Sequence, residues 1–368
     1  MNKHSKGDLQ QMQSLPLDAK IYMSKLRAKQ WYDFFEDNVF VGFSGGKDST
    51  VLSDICAMVC KQVGATLNLM FVNTGLEYPE IQKFVKDHGD YLRDKYGIGV
   101  SLDIFRPKMA FNEVIMTHGY PFISKEVAKV ISAARRLGDQ SKFGKVCLER
   151  LNGTHTMKDG NKSLYNCAKY KPLLDVDFKI SPLCCDIMKK QPSHDYIKLT
   201  GRKPILRQMA SESRLREQRW LRYGCNGFDM SSPSSSPLSF WTEQDILHYI
   251  KLNSLPIASV YGDIVYEEDP WQTRFAELED PCSKCEKLMT TGCDRTGCIF
   301  CGFGAHLEKG QTRFQRLKKT HPRQYEYCMD GGEYGADGFW IPNKKGLGMA
   351  HCLDELNAIY GKDFIRYE

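Results

Sequence analysis

Hydrophobic residues fall along this chain in short unbroken runs separated by amphipathic stretches, the alternation expected of a parallel α/β sheet. Val39-Phe40-Val41-Gly42-Phe43 and Leu67-Asn68-Leu69-Met70-Phe71-Val72 read as buried strands, with a crossover helix from Val51 to Val63 between them. Ile81 to Tyr96 continues as a helix and Val100-Ser101-Leu102-Asp103-Ile104-Phe105 as a third strand. Before this βαβ frame, Ile21 to Asn38 reads as a helix whose apolar contacts are Leu26, Trp31, Phe34 and Phe35. After it, Gly119 to Glu126 opens another helix, Gly138 to Lys171 has weak periodicity and reads as an insertion, and Pro204 to Arg207 is a short buried strand. Ser231 to Pro237 reads as a plain loop, and Trp241 to Ile250 as an amphipathic helix capped by Thr242 or a neighbour. The βαβ pattern predicts a parallel α/β sheet over 39–255, preceded by a helical segment 1–38, interrupted by a basic insertion 138–172 and followed by a cysteine-rich region 256–368.

Where the first strand turns into its helix stands Ser44-Gly45-Gly46-Lys47-Asp48-Ser49-Thr50. Adjacent glycines let the backbone approach an anion and take dihedrals closed to other residues, while Ser49 and Thr50 are expected to cap the helix. Amides at a helix start and the helix dipole attract phosphate. Lys47 is suited to neutralising charge on a leaving pyrophosphate, and Asp48 to holding a magnesium ion. The spacing is not that of the Walker loop. Gly42-Phe43-Ser44-Gly45-Gly46 also satisfies the Gly-x-Ser-x-Gly elbow of a serine hydrolase, a reading that leaves Lys47, Asp48 and the cysteines without a task.

The chain has 368 residues, enough for two domains, and fourteen cysteines. No apolar run approaches the roughly 18 residues of a membrane span, and the first twenty residues lack an apolar targeting core, so a cytoplasmic protein without membrane association is expected. In a reducing compartment, clustered cysteines point to metal or cluster ligation before disulfides. The net charge of +6 is uneven: Arg135 to Lys171 holds nine Lys/Arg against Asp139, Glu149 and Asp159, and Lys309 to Arg323 adds further cations. Such segments can meet a nucleic-acid backbone, a nucleotide or only solvent.

Cys184-Cys185 precedes a basic segment ending in Pro192, and Gly297-Cys298-Ile299-Phe300-Cys301-Gly302 lies far downstream. Four thiolates suffice for zinc or an iron–sulfur cluster. A local alternative pairs Cys282 and Cys285 with Cys298 and Cys301 at zinc-ribbon spacing, with Cys293 between them; otherwise Cys282, Cys285 and Cys293 are candidates for a subsidiary site with a further ligand such as His306.

Ser-Gly-Gly-Lys-Asp-Ser after a strand resembles the loop of the PP-loop ATP pyrophosphatases. These relatives include tRNA thiolases, the DNA phosphorothioation ATPase and the phosphoadenosine phosphosulfate (PAPS) reductases. The resemblance to the PAPS reductase branch extends over Cys184-Cys185, the Trp241-Thr242-x-x-Asp245-Ile246-x-x-Tyr249-Ile250 helix leading to Leu255-Pro256-Ile257 and Tyr261, and Gly297-Cys298-x-x-Cys301. It implies an α/β fold with a doubly wound, mainly parallel five-stranded sheet, adenine nucleotide alpha hydrolase-like, with a C-terminal cysteine-rich helical extension. It also implies ATP bound with magnesium by Ser44, Gly45, Gly46, Ser49 and Thr50, with Lys47, Asp48 and Ser49 as catalytic groups and Thr74 and Gly75 facing adenosine. Arg207, Glu212, Ser213 and Arg216 would face substrate, and Cys184, Cys185, Cys298 and Cys301 would hold a 4Fe–4S cluster, with zinc as the alternative. Reductases of this group carry a nucleophilic cysteine in a Glu-Cys-Gly-x-His motif, which this sequence lacks. The resemblance therefore implies an AMP- and pyrophosphate-forming enzyme that adenylates an acceptor for sulfur transfer. Its partners would be a nucleic-acid or small-molecule acceptor and a sulfur-donor protein such as a cysteine desulfurase. A sulfonucleotide reductase, or a zinc-bearing nucleic-acid-binding module without turnover, are the alternatives.

Overall fold

A computed structural model describes residues 2–267 and 287–368. The chain forms two compact units interleaved along the sequence: 1–73, 77–105 and 193–296 make the first, and 74–76, 106–192 and 297–368 the second. Long-range pairing of short segments sets these boundaries, so they do not follow the consecutive stretches 1–38, 39–255 and 256–368.

The first unit is built on a six-stranded sheet in the order Val100–Phe105, Leu67–Val72, Val39–Gly42, Lys203–Ile205, Ser234–Ser235, Asn226–Gly227. All neighbours are parallel except the last pair. Val39, Val41, Leu67 and Leu69 are fully buried, as expected of strands covered by helices on both faces. Chain connections run to opposite sides of Val39–Gly42, which makes its C-terminal end the switch point where such sheets open a ligand crevice.

Two strands more than a hydrophobic pattern can show come from Asn226–Gly227 and Ser234–Ser235. The latter lies inside the stretch Ser231 to Pro237 read as a loop. Ser234 and Ser235 are nevertheless buried, and Ser235 donates its hydroxyl to the Asn226 side chain at 2.7 Å. Small hydrogen-bonded side chains fill a place that an apolar run usually marks.

The N-terminal helix spans Leu17–Phe34, not Ile21 to Asn38, because Glu36 and Asp37 take positive φ and turn the chain. Its buried face is Lys20, Ser24, Ala28, Trp31 and Tyr32, whereas Phe34 is 62% exposed and Leu26 37%. Polar hydrogen bonds seat that face: Ser24 Oγ donates to the Pro237 carbonyl and accepts the Trp241 indole N–H, and Lys20 pairs with Asp245 at 2.8 Å. The helix Glu243–Leu252 is capped by Thr242, which accepts the Asp245 N–H.

The second unit is mostly helical, with Phe111–His118, Lys125–Leu137, Lys142–Asn152, Arg313–Thr320, Pro322–Met329 and Met349–Tyr360 as its α-helices. Gly302–Phe303 pairs in parallel with Phe122–Ile123. Gly138 to Lys171, read as an insertion of weak periodicity, contains a helix capped by Ser141 and ended by Gly153 in the left-handed region. Two cations of this region are structural: Arg135, in the helix before it, donates to the Leu173, Leu174, Val176 and Phe178 carbonyls, and Arg150 to Tyr165 O and Glu126.

Asp54 is the most demanding group in the first unit. Fully buried, it accepts from Lys95 Nζ at 2.9 Å, Tyr96 at 2.9 Å and Tyr249 at 2.6 Å. Removing a donor to a buried charge costs about 2 kcal/mol, and removing the carboxylate that anchors three donors about 3 kcal/mol or more. Tyr249→Phe and Asp54→Ala should lower the urea midpoint in that order; changes of both below about 0.5 kcal/mol would show the network to be idle.

Candidate functional site

The helix after the first strand begins earlier than its hydrophobic pattern indicates, at Lys47, and runs to Val63 with Gly46 as its N-cap. Ser49 and Thr50 therefore do not cap it. They sit within the first turn, where both hydroxyls donate back to the Gly46 carbonyl at 2.8 and 3.1 Å. A glycine cap supplies no side-chain acceptor, so the leading amides stay available to an external one. Thr50 N–H bonds Gly46 O, which leaves those of Lys47, Asp48 and Ser49 at the mouth.

Gly45 carries the turn. Its φ is +70°, and a Cβ there would stand 2.7 Å from a Val85 methyl and 2.8 Å from an Ile81 methyl. Gly46 has ordinary dihedrals; what it provides is room, since a Cβ would lie 3.2 Å from both the Tyr261 and Thr296 hydroxyls. Ser44 closes the loop: its N–H donates to Ser49 Oγ at 3.2 Å, and the two hydroxyls meet at 3.1 Å. Ser49 cannot serve Ser44 as a general base, which removes the support for a serine-hydrolase elbow.

An oxygen already occupies the cradle. The Tyr261 hydroxyl accepts the Lys47 N–H at 3.1 Å and meets Thr296 Oγ1 at 2.6 Å. Lys47, only 4% exposed, donates from Nζ to the Asp294 carbonyl at 2.7 Å and pairs with Glu243 at 3.0 Å. Asp48 accepts from Arg207 at 2.9 Å, Arg207 lies 4.0 Å from Glu212, and Glu212 also pairs with Arg216 and, at 3.1 Å, with Arg295. Burial, and then the neighbouring Arg207 and Arg295, hold the Arg216 guanidinium below its ordinary range.

The first unit thus brings together Ser44 to Thr50 with Arg207, Glu212 and Arg216. Ser213 is used differently, as the cap of helix Arg214–Tyr223. Thr74 and Gly75 belong to the second unit. Glu243, Tyr261, Asp294, Arg295 and Thr296 join the loop without having been read as site residues. Their one sequence signal is local: Tyr261 ends the Leu-Pro segment, and Arg295-Thr296 runs directly into Gly297-Cys298.

In the second unit, Cys184, Cys185, Cys298 and Cys301 line one cavity with Leu76, Phe111, Pro121 and Met188, and Lys189 at its wall. Cys184 and Cys185 interact through their side chains. The hydrogen bond between them, with Lys125 and Lys189 acting against the effect of burial, lowers Cys185 to about 6. The same bond, with burial and the other three sulfurs, drives Cys184 upward, and burial beside Cys298 raises Cys301 to about 11. Four sulfurs against apolar walls, with lysines to offset thiolate charge, form a donor set that fits a soft metal or cluster. Cys293 is buried in the first unit; Cys282 and Cys285 of the zinc-ribbon alternative lie outside the described residues.

Residues 38–143, which include the phosphate-loop segment, match the family model described as the phosphoadenosine phosphosulfate reductase domain. That segment, less than half of the chain, is similar to the PAPS reductase domain of the PP-loop superfamily. No curated protein matches the chain.

Two glycines separate backbone strain from steric fit. Gly64→Ala, at φ +77° with nothing within 4 Å, should cost about 1 kcal/mol. Gly45→Ala adds the collision with Ile81 and Val85 and should cost at least about 1 kcal/mol more in chemical denaturation. Equal losses would mean that the loop does not rest on that helix.

Proposed function

We propose that this protein is an ATP pyrophosphatase that adenylates an acceptor for sulfur transfer. The observation that carries the reading is the cradle at Gly45 to Ser49: a glycine-capped helix start whose first amide already holds an oxygen, beside a buried lysine. Phosphate oxygens of ATP would displace the Tyr261 hydroxyl from the Lys47 N–H. Lys47 would exchange its carbonyl and Glu243 partners for the β- and γ-phosphates.

An acceptor oxygen would then attack the α-phosphorus as the bond to the β-phosphate oxygen breaks. Pyrophosphate leaves with the electron pair, and AMP stays on the acceptor until sulfur displaces it. Asp48, freed in part from Arg207, would help hold Mg2+, and Arg207 and Arg216 would meet acceptor or phosphate anions. Cys184, Cys185, Cys298 and Cys301 would hold a 4Fe–4S cluster, which when bound supplies electron transfer or a sulfur-binding iron. A nucleic-acid or small-molecule acceptor and a sulfur donor of the cysteine desulfurase kind complete the reading.

The sulfonucleotide reductase alternative needs a reactive thiol outside that set. Cys328 and Cys352 are fully buried, and burial pushes both thiols far up, which makes them poor nucleophiles. Protein purified without oxygen should be brown, contain iron and release AMP and pyrophosphate in equal amounts from labelled ATP when offered an acceptor. Lys47→Ala should lower that rate about 10²–10³-fold, while Cys328→Ser and Cys352→Ser leave it unchanged. Sulfite trapped on either cysteine, seen by mass spectrometry after PAPS addition, would establish the reductase instead.

A further inference from the structure

The second unit carries a cluster that neither the phosphate cradle nor the thiols account for. His351 and Glu355 stand four residues apart on helix Met349–Tyr360 and so leave it on one face. Asp177 reaches them from the loop before Phe178. One ligand atom from each lies within 4.8 Å of the other two. His351 Nε2 is 2.9 and 3.0 Å from the two Asp177 oxygens, and the Tyr334 hydroxyl donates to Asp177 Oδ2 at 2.7 Å. The Glu355 carboxyl meets the Asp177 side chain and backbone, but its Oε2 is buried and accepts no hydrogen bond. Two carboxylates this close repel each other unless a proton or a cation lies between them.

The surroundings hold the three groups in place. Arg135 ties the loop that bears Asp177 through the Leu173, Leu174, Val176 and Phe178 carbonyls, at 2.6–3.0 Å. Trp340 stacks on the His351 ring with centroids 4.3 Å apart. The same residue donates its indole N–H to Gly348 O at the start of the helix and its backbone N–H to Asp177 O. One tryptophan therefore fixes the imidazole, the helix end and the aspartate backbone. Such outer support is what orients metal ligands.

We propose that Asp177, His351 and Glu355 bind a divalent transition-metal ion of the zinc or manganese kind. One imidazole and two carboxylates form a borderline nitrogen and oxygen set, suited to these ions rather than to the soft metals that thiolates select. The 2.9–3.0 Å between His351 and Asp177 is close to the separation of adjacent ligands around one ion at about 2.1 Å. A cation would give the orphaned Glu355 oxygen its partner and relieve its repulsion from Asp177. His351 and Asp177 each keep a third of their side-chain surface in water, so water completes the coordination. Arg135, whose guanidinium feels the Glu355 charge, is engaged by four carbonyls and stays outside the ligand set.

The test titrates the full-length, chelator-treated protein with Co2+ as a spectroscopic probe and then competes it with Zn2+. The nitrogen and oxygen site should give weak visible bands without thiolate-to-cobalt charge transfer, and those bands should survive Cys184→Ser and Cys298→Ser. Glu355→Gln and His351→Ala should weaken binding more than about tenfold, and Tyr334→Phe, which loses only an outer hydrogen bond, about tenfold. Wild-type protein that shows thiolate bands alone, or none, overturns the proposal even where a variant fails to fold. Undiminished binding by Glu355→Gln does the same.

Discussion

The left-handed conformation of Gly45, pressed against Ile81 and Val85, is the constraint from which the first unit's site follows. A strand that must pass at once into a helix has to reverse its amide direction within two residues, and only a residue without Cβ can do so this close to another helix. Once that turn is made, Gly46 becomes the cap and the helix starts with three amides lacking intrahelical acceptors. Everything charged nearby is then arranged around a helix start that attracts oxygen. The Tyr261 hydroxyl, the Asp294 carbonyl and the Glu243 carboxylate are the acceptors the cradle and its lysine hold.

Those acceptors differ in what each can yield to a nucleotide. A neutral hydroxyl on an amide contributes about 1 kcal/mol net and is readily replaced by a charged phosphate oxygen, whose bonds are about twice as strong. Glu243 is more than half exposed, so its attraction for Lys47 is weakened by solvent. Lys47, Arg207, Arg216 and Arg295 stand against Asp48, Glu212 and Glu243, four cations to three carboxylates. The cluster thus keeps its arginines paired while remaining slightly electropositive.

Much of this was legible in the chain. Buried strands announce themselves as apolar runs, which is why Val39–Gly42, Leu67–Val72 and Val100–Phe105 stand where the pattern puts them. The glycine pair and Lys47 were legible because their chemistry is local. What escaped was built from polar residues whose burial depends on distant partners. Ser234–Ser235 makes a strand by hydrogen bonding, Ser24 and Lys20 seat a helix face, and Tyr261, Asp294 and Thr296 reach the loop across more than two hundred positions. No periodicity encodes such pairings. The helix start was misread by four residues for a related reason, since Lys47-Asp48-Ser49-Thr50 has no apolar member to mark its turn.

The cysteines show how burial alone separates two uses of one residue type. Cys56, Cys328 and Cys352 are enclosed completely, and burial pushes each thiol up, which suits an inert packing group. Cys185 is also largely enclosed, yet it is held low by the Cys184 thiol and by Lys125 and Lys189. Enclosure combined with supplied positive charge stabilises thiolate, the form that metals require. Asp177 and Glu355 follow the same logic with the sign reversed: their enclosure concentrates negative charge, and hydrogen bonds from Tyr334 and His351 satisfy the first while leaving an oxygen of the second without a partner. Around Asp54 the buried charge is fully paired; beside Asp177 the unpartnered Glu355 oxygen is where a cation would have a place to go.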